Sequence, residues 1–220
     1  MTVAAVILSA TADGALAETG GQPRVRRLVD IAWAGGALPV VVVSPDPHGA
    51  VAASLASTEA IHSTPAPVTA GPVGQMIRGC EVAAAEVHET TAALLWPARM
   101  TWVGAETVTS LIEAHGTDRT TVLRAAWRDE PGWPLLVPFD RLDALRSLSP
   151  ELMPDDVASA LTGAVASRAI ELGDPGVVFD VSTARDELPA YEGPDLPAGG
   201  HVHEWGVEAP DLSEDLPVRR

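Results

Sequence analysis

The chain contains no lysine and no asparagine, and all 14 of its basic residues are arginine. A mechanism that needs a lysine side chain, whether for a Schiff base or to reach a phosphate, is therefore excluded. Cys80 is the single cysteine, so an internal disulfide framework is excluded and a reducing compartment is expected. Aromatic residues make up only 4% of the chain, which leaves the core to Ala, Val and Leu. No apolar run approaches the ~20 residues that a membrane span needs. Residues 3–8 are too short for a signal peptide and are soon followed by Asp13 and Glu18, so a cytoplasmic protein is expected. Positive charge is scarce as well: 30 acidic residues give a formal net charge of −16. A field of that sign repels nucleic acid and anionic membrane, and neither is expected as a partner.

What is present points to a packed α/β protein. Hydrophobic residues are 46% of 220, enough for one large domain and too few for two comfortable cores. Residues 3–8 form an apolar run that reads as a first strand, and residues 9–23 read as a loop carrying Gly14, Gly20 and Gly21. Val25, Leu28, Val29, Ala32 and Trp33 then mark one stripe of a helix that stops at Gly35-Gly36. The β-branched run 40–43 is a second, central strand. A short helix near 49–57, a weak strand near 60–63, a long helix over 73–87 and a strand over 92–96 follow. Helix 104–115 comes next, then two strands, 121–127 and 134–137, with Pro131-Gly132 as their turn signal. Helices at 139–147 and 154–169 and a last strand at 177–181 complete a three-layer α/β/α pattern with a mainly parallel sheet. From Pro189 the composition turns acidic and rich in Pro and Gly. The expected organisation is a domain over 1–188 and a tail over 189–220, with a protein partner expected through that tail.

The order of these pieces resembles the MobA-like nucleotidyltransferases, which join CMP or GMP to molybdopterin. Val6-Ile7-Leu8 with Ser9-Ala10 is similar to the family's first strand and Leu-Ala-Ala-Gly loop, and Gly21-Gln22-Pro23 to its Gly-x-Pro. Gly71-Pro72-Val73-Gly74 is similar to the segment near the base, and residues 94–103 to the strand that ends in an aspartate-bearing loop. Residues 128–134 are similar to its Gly-x-x-Gly-His-Pro stretch, and residues 179–186 to its Asp-x-Asp-Thr-x-x-Asp. The resemblance implies a nucleotide-diphospho-sugar-transferase-like, Rossmann-like fold. It also implies a nucleotide site built from Ser9, Ala10, Thr11, Gly21, Arg24, Gly74 and Arg99, with Asp180 and Asp186 as its metal carboxylates. For an active enzyme it implies magnesium, CTP or GTP, and a molybdopterin-like or other acceptor.

The departures fall where that chemistry would sit. The family's first loop supplies Gly, Arg, Gly and Lys to a triphosphate. Here Thr11 replaces the first glycine, no cation lies between Ser9 and Gln22, and Asp13 and Glu18 are present. Arg99 stands where relatives place the magnesium aspartate, Trp133 where they place a histidine, and Ser182 where they place their second terminal aspartate. These changes make a degenerate member with a binding, regulatory or assembly role the leading expectation; no catalytic residue is assigned. The alternatives are an active transferase using Arg99 and Arg24 in place of metal and lysine, or a glycosyltransferase-like protein on the same fold. Whether any nucleotide binds stays open.

Individual residues keep two readings each. Arg99 either clamps a phosphate or carboxylate, or is a surface arginine paired with a residue such as Asp180. Asp180 and Asp186 are either metal remnants or ordinary caps and turn formers. His201-Val202-His203-Glu204 is a low-specificity metal signal. Trp96, Trp102 and Trp133 either fill the cleft or form a stacking or contact surface. Cys80 falls on a helical stripe and reads as core.

Overall fold

A computed structural model describes residues 2–193. Its elements run β1 (Thr2–Leu8), α1 (Ala12–Leu16), the two-residue strands β2 (Glu18–Thr19) and β3 (Gln22–Pro23), α2 (Arg24–Ala34), β4 (Val40–Val43), α3 (Ala50–Ser54) and β5 (Ile61–Ser63). They continue with α4 (Gly71–Glu86), β6 (Thr90–Pro97), α5 (Ala105–Thr117), β7 (Val122–Trp127), β8 (Glu130–Pro138), α6 (Leu142–Arg146), α7 (Pro154–Ala164) and β9 (Ser167–Glu171). The expectations for His201, His203 and Glu204 lie outside the described residues, as does most of the tail.

Seven strands form one sheet in the order β5-β4-β1-β6-β8-β7-β9, and only β8 runs against its neighbours. This is the mainly parallel sheet that the apolar runs imply. β1 pairs in parallel with β4 on one side and β6 on the other. Its residues Val3 to Ile7 are buried without alternation, because both faces of the sheet are covered. α2 packs against α5 in one layer, and α4, α6 and α7 pack together in the other. α4 seats closely on β1 and β4 at Gly79, where a Cβ would overlap the Val6 side chain. Cys80, on the same helix, is fully buried in the core, and burial pushes its thiol up to about 12. Among the described residues no helix is long and apolar enough to cross a membrane.

Four local expectations are corrected. The loop over 9–23 contains the one-turn helix α1 and the β2–β3 hairpin, turned by Gly20 and Gly21 at φ of 64° and 87°. The β7–β8 turn lies at Arg128-Asp129, both at positive φ, three residues before Pro131-Gly132. Both carboxylate oxygens of Glu171 accept the N–H groups of those two residues, at 2.8 and 3.1 Å, so a turn that local propensity does not favour is held by a neighbouring strand. Gly132 serves packing instead, since a Cβ there would overlap the Val177 carbonyl.

Helix α7 stops at Ala164, short of 169, and the strand expected at 177–181 is replaced by β9 at the sheet edge. β9 is mostly exposed, so no apolar alternation marks it. In place of a strand, Val177 is buried and Val178 and Phe179 pack half-buried against the core, with Phe179 edge-on to Trp127 at 5.6 Å between ring centroids. Its anchor is the buried Asp174, which accepts the Gly176 N–H at 2.8 Å, the Gly104 N–H at 2.9 Å and the Thr107 hydroxyl at 2.6 Å. One carboxylate thereby starts the 175–177 turn and caps α5 from a distance.

Candidate functional site

Parallel pairing of β1 with β6 brings Leu8 opposite Pro97, and the Ala98 N–H continues the ladder to the Leu8 carbonyl at 2.8 Å. Ser9 to Thr11 and Ala98 to Thr101 therefore leave the sheet side by side, at the carboxyl ends of the strands where α/β proteins place their sites. Residues 178–183 return across this end, and the Val181 N–H donates to the Arg99 carbonyl at 2.9 Å. β8, running the other way, starts here and contributes Trp133.

The loop after β1 takes up several of its own donors. Thr11 caps α1 by accepting the Gly14 N–H at 2.9 Å, its carbonyl takes the Ala15 N–H and the Ser9 hydroxyl, and Glu18 takes the Gly21 N–H at 3.2 Å. A phosphate cradle presents such N–H groups outward; here they have internal partners. The flanking cations also turn inward. Arg27 Nε donates to the Thr101 carbonyl at 3.2 Å and its guanidinium lies over the Trp102 ring, 5.8 Å from the centroid. Arg24 begins α2 with a buried Nε that has no partner; burial lowers its pKa and the nearby Asp180 carboxylate works against that.

Arg99 organises the centre. Its Nη2 donates to both oxygens of Asp155, at 2.7 and 2.6 Å, and its Nη1 donates to Asp180 Oδ2 at 3.2 Å. Asp155 Oδ1 also accepts the Trp133 indole N–H at 2.7 Å, while Asp180 Oδ1 accepts the Ser182 hydroxyl and N–H at 2.6 and 2.9 Å. Burial works to raise the Asp180 carboxyl, but the Ser182 bonds and Arg99 outweigh it and leave it below the ordinary carboxylate value. Of the two readings of Arg99, the structure has the guanidinium paired with carboxylates of its own chain.

The remaining candidates do not join this cluster. Asp186 is exposed on the turn Arg185–Glu187. Gly74 lines a separate hollow of about 360 Å³ with Pro65, Pro67, Ile77 and Arg78, to which neither Arg99 nor Asp180 contributes. Trp96 and Trp133 are buried and fill the space beneath the site, Trp96 donating to the Met100 carbonyl at 2.8 Å. Trp102 is half-buried and ties the returning segment down by donating to the carbonyls of Asp180 and Thr183 at 3.1 Å each. Asp155, in the first turn of α7, is the member of the cluster that its sequence context does not single out. An acidic residue in a first helical turn is ordinary, and nothing local marks this one as the partner of an arginine 56 positions away.

The sheet order, the site at its carboxyl end and the loop after the first strand define the nucleotidyltransferase class of α/β protein. The chain belongs to the MobA-like NTP transferase family, whose domain matches residues 10–167. Among solved structures it is similar to Rv0371c of Mycobacterium tuberculosis in complex with manganese, at 19% identity and a TM-score of 0.58, covering 77% of this chain and 88% of that one. It is similar to a nucleotidyl transferase from Methanothermobacter thermautotrophicus, at 18% identity and 0.59, covering 77% and 87%. CMP:2-keto-3-deoxy-manno-octonic acid synthetase complexed with CTP gives 16% identity and 0.60, covering 78% and 90%. At these identities the likeness establishes the fold. No curated protein matches the chain in sequence.

Magnesium, which the family implies, does not fit these residues. It demands oxygen ligands at about 2.0–2.1 Å, and the two carboxylates best placed to give them are already turned onto Arg99. A dication about 4 Å from that guanidinium would be repelled by on the order of 2–8 kcal/mol for effective dielectrics between about 80 and 20. Among the described residues no group of three His, Cys, Asp or Glu is arranged to hold a metal ion.

Proposed function

We propose that this chain keeps the MobA-like fold without metal-assisted nucleotidyl transfer and serves as a binding, regulatory or assembly protein. The observation that carries this reading is Arg99, set between Asp155 and Asp180 at the end of β6 where relatives are expected to hold their metal. A guanidinium satisfies the charge of the carboxylates but cannot polarise a phosphoryl oxygen as a Lewis acid does. The loop after β1 supports the same conclusion from the phosphate side: it holds no Lys or Arg to balance a triphosphate, the Gly14, Ala15 and Gly21 N–H groups are taken up within it, and Asp13 and Glu18 oppose an anion.

Pyrophosphate release tests the reading. The full chain is incubated with each of the four NTPs, with magnesium and with manganese, alongside a thermal-shift titration. The expected result is no pyrophosphate above background and no metal-dependent shift with any nucleotide. Metal-dependent pyrophosphate release would instead restore the active transferase.

A further inference from the structure

Asp155 and Asp180 are held by Arg99 in unequal ways. Asp180 has a side chain 26% exposed and is fixed by two bonds from Ser182 within its own segment. Asp155, at 63%, is the most exposed member of the cluster, yet it takes two contacts from Arg99 Nη2 and a third from Trp133. Trp133 itself is 2% exposed. If the Asp155 side chain swings away, Arg99 loses half of its ligands and a buried indole donor is left aimed into the gap, which is costly unless another acceptor takes its place. Arg124, fixed by donating to the Gly132 carbonyl at 3.1 Å, adds a second positive charge near the same carboxylate. In a chain of net charge −16, three arginines, Arg24, Arg99 and Arg124, thus converge here on two carboxylates, Asp155 and Asp180.

We propose that Arg99 and Trp133 form a receptor for a compact oxyanion, a phosphate monoester or a carboxylate, and that Asp155 is its built-in occupant, displaced when the ligand binds. The receptor rests on the non-catalytic reading, since an oxyanion held by a guanidinium and an indole needs no metal. Exchange is cheap because the occupant is exposed: a pair of this kind is biased toward the closed state by about fivefold, equivalent to about 1 kcal/mol. Asp180 stays in place throughout and keeps Arg99 oriented.

Calorimetric titration of the full chain in EDTA, with inorganic phosphate and acetate as separate probes, tests this. Asp155→Ala should tighten binding of at least one probe by about fivefold over the wild type, and the probe that responds identifies the ligand chemistry. Adding Arg99→Ala should abolish the gain, and adding Trp133→Phe, which removes the donor and keeps the bulk, should reduce it. Should Asp155→Ala lose its far-UV circular dichroism, Asp155→Asn is read by the same criterion. The proposal fails if neither probe binds more tightly, or if the gain survives without Arg99. That failure with no pyrophosphate release leaves the non-catalytic reading standing, whereas metal-dependent release overturns both.

Discussion

At the scale of single residues, the charge of a side chain matters less than which partner claims it. Arg99 is drawn to two carboxylates of its own chain, Arg27 to the Thr101 carbonyl and the Trp102 face, and Arg24 lies within the electrostatic influence of Asp180. His115 is a different case, a buried imidazole in the last turn of α5 with neither ring nitrogen partnered. Burial lowers its pKa from the ordinary 6.5; Arg119 lowers it further, and Asp118 and Asp140 partly oppose the shift. Because the folded ring resists a proton that the unfolded chain accepts, its contribution to stability is complete above about pH 6.5 and is lost as pH falls toward the folded value. Urea unfolding between pH 7.5 and 5 should show stability declining below pH 6.5 by at most about 1.4 kcal/mol per pH unit. His115→Leu should flatten that slope, and an unchanged slope would assign it to other groups.

At the scale of elements, the strands buried on both faces were legible because an uninterrupted apolar run of that length is stable only where both of its faces are covered. β1, β4 and β6 lie where their Val, Ala and Leu runs placed them. What local sequence could not disclose are features fixed by distant partners. The Arg128-Asp129 turn depends on Glu171, Gly132 on the Val177 carbonyl, and the exposed edge strand β9 on pairing with β7. The site divides in the same way. The absence of lysine and the presence of Arg99 could be read from the sequence, whereas the role of Asp155 rests on the bonds that Arg99 and Trp133 of β8 make to it across the fold. Asp174 shows how much one such partner carries, joining the start of α5 to the 175–177 turn from a buried position. Asp174→Ala removes the acceptor for two backbone N–H groups and a hydroxyl, and should cost roughly 2–4 kcal/mol. Thermal and urea unfolding would measure it, and a loss below about 0.5 kcal/mol would mean that water or a shifted backbone replaces the carboxylate.

At the scale of the whole molecule, a nucleotidyltransferase fold is retained around a centre whose charges have been rearranged. The sheet, its covering layers and the strand ends that define the site are intact, and one buried core supports them. The guanidinium of Arg99 joins α7 to the returning segment 178–183 through Asp155 and Asp180. On the non-catalytic reading proposed above, the residue that stands in place of a metal carboxylate also supplies a substitute cation, so that the architecture persists without the chemistry that depends on a Lewis acid. Titration with manganese, followed by the electron paramagnetic resonance signal of the free ion, tests that exchange most directly. The wild-type chain should show no saturable manganese binding at this site, and Arg99→Asp, which sets a third carboxylate beside Asp155 and Asp180, should bind at least about tenfold more tightly. Manganese binding by the wild type that Arg99→Asp leaves unchanged would contradict the exchange of metal for guanidinium.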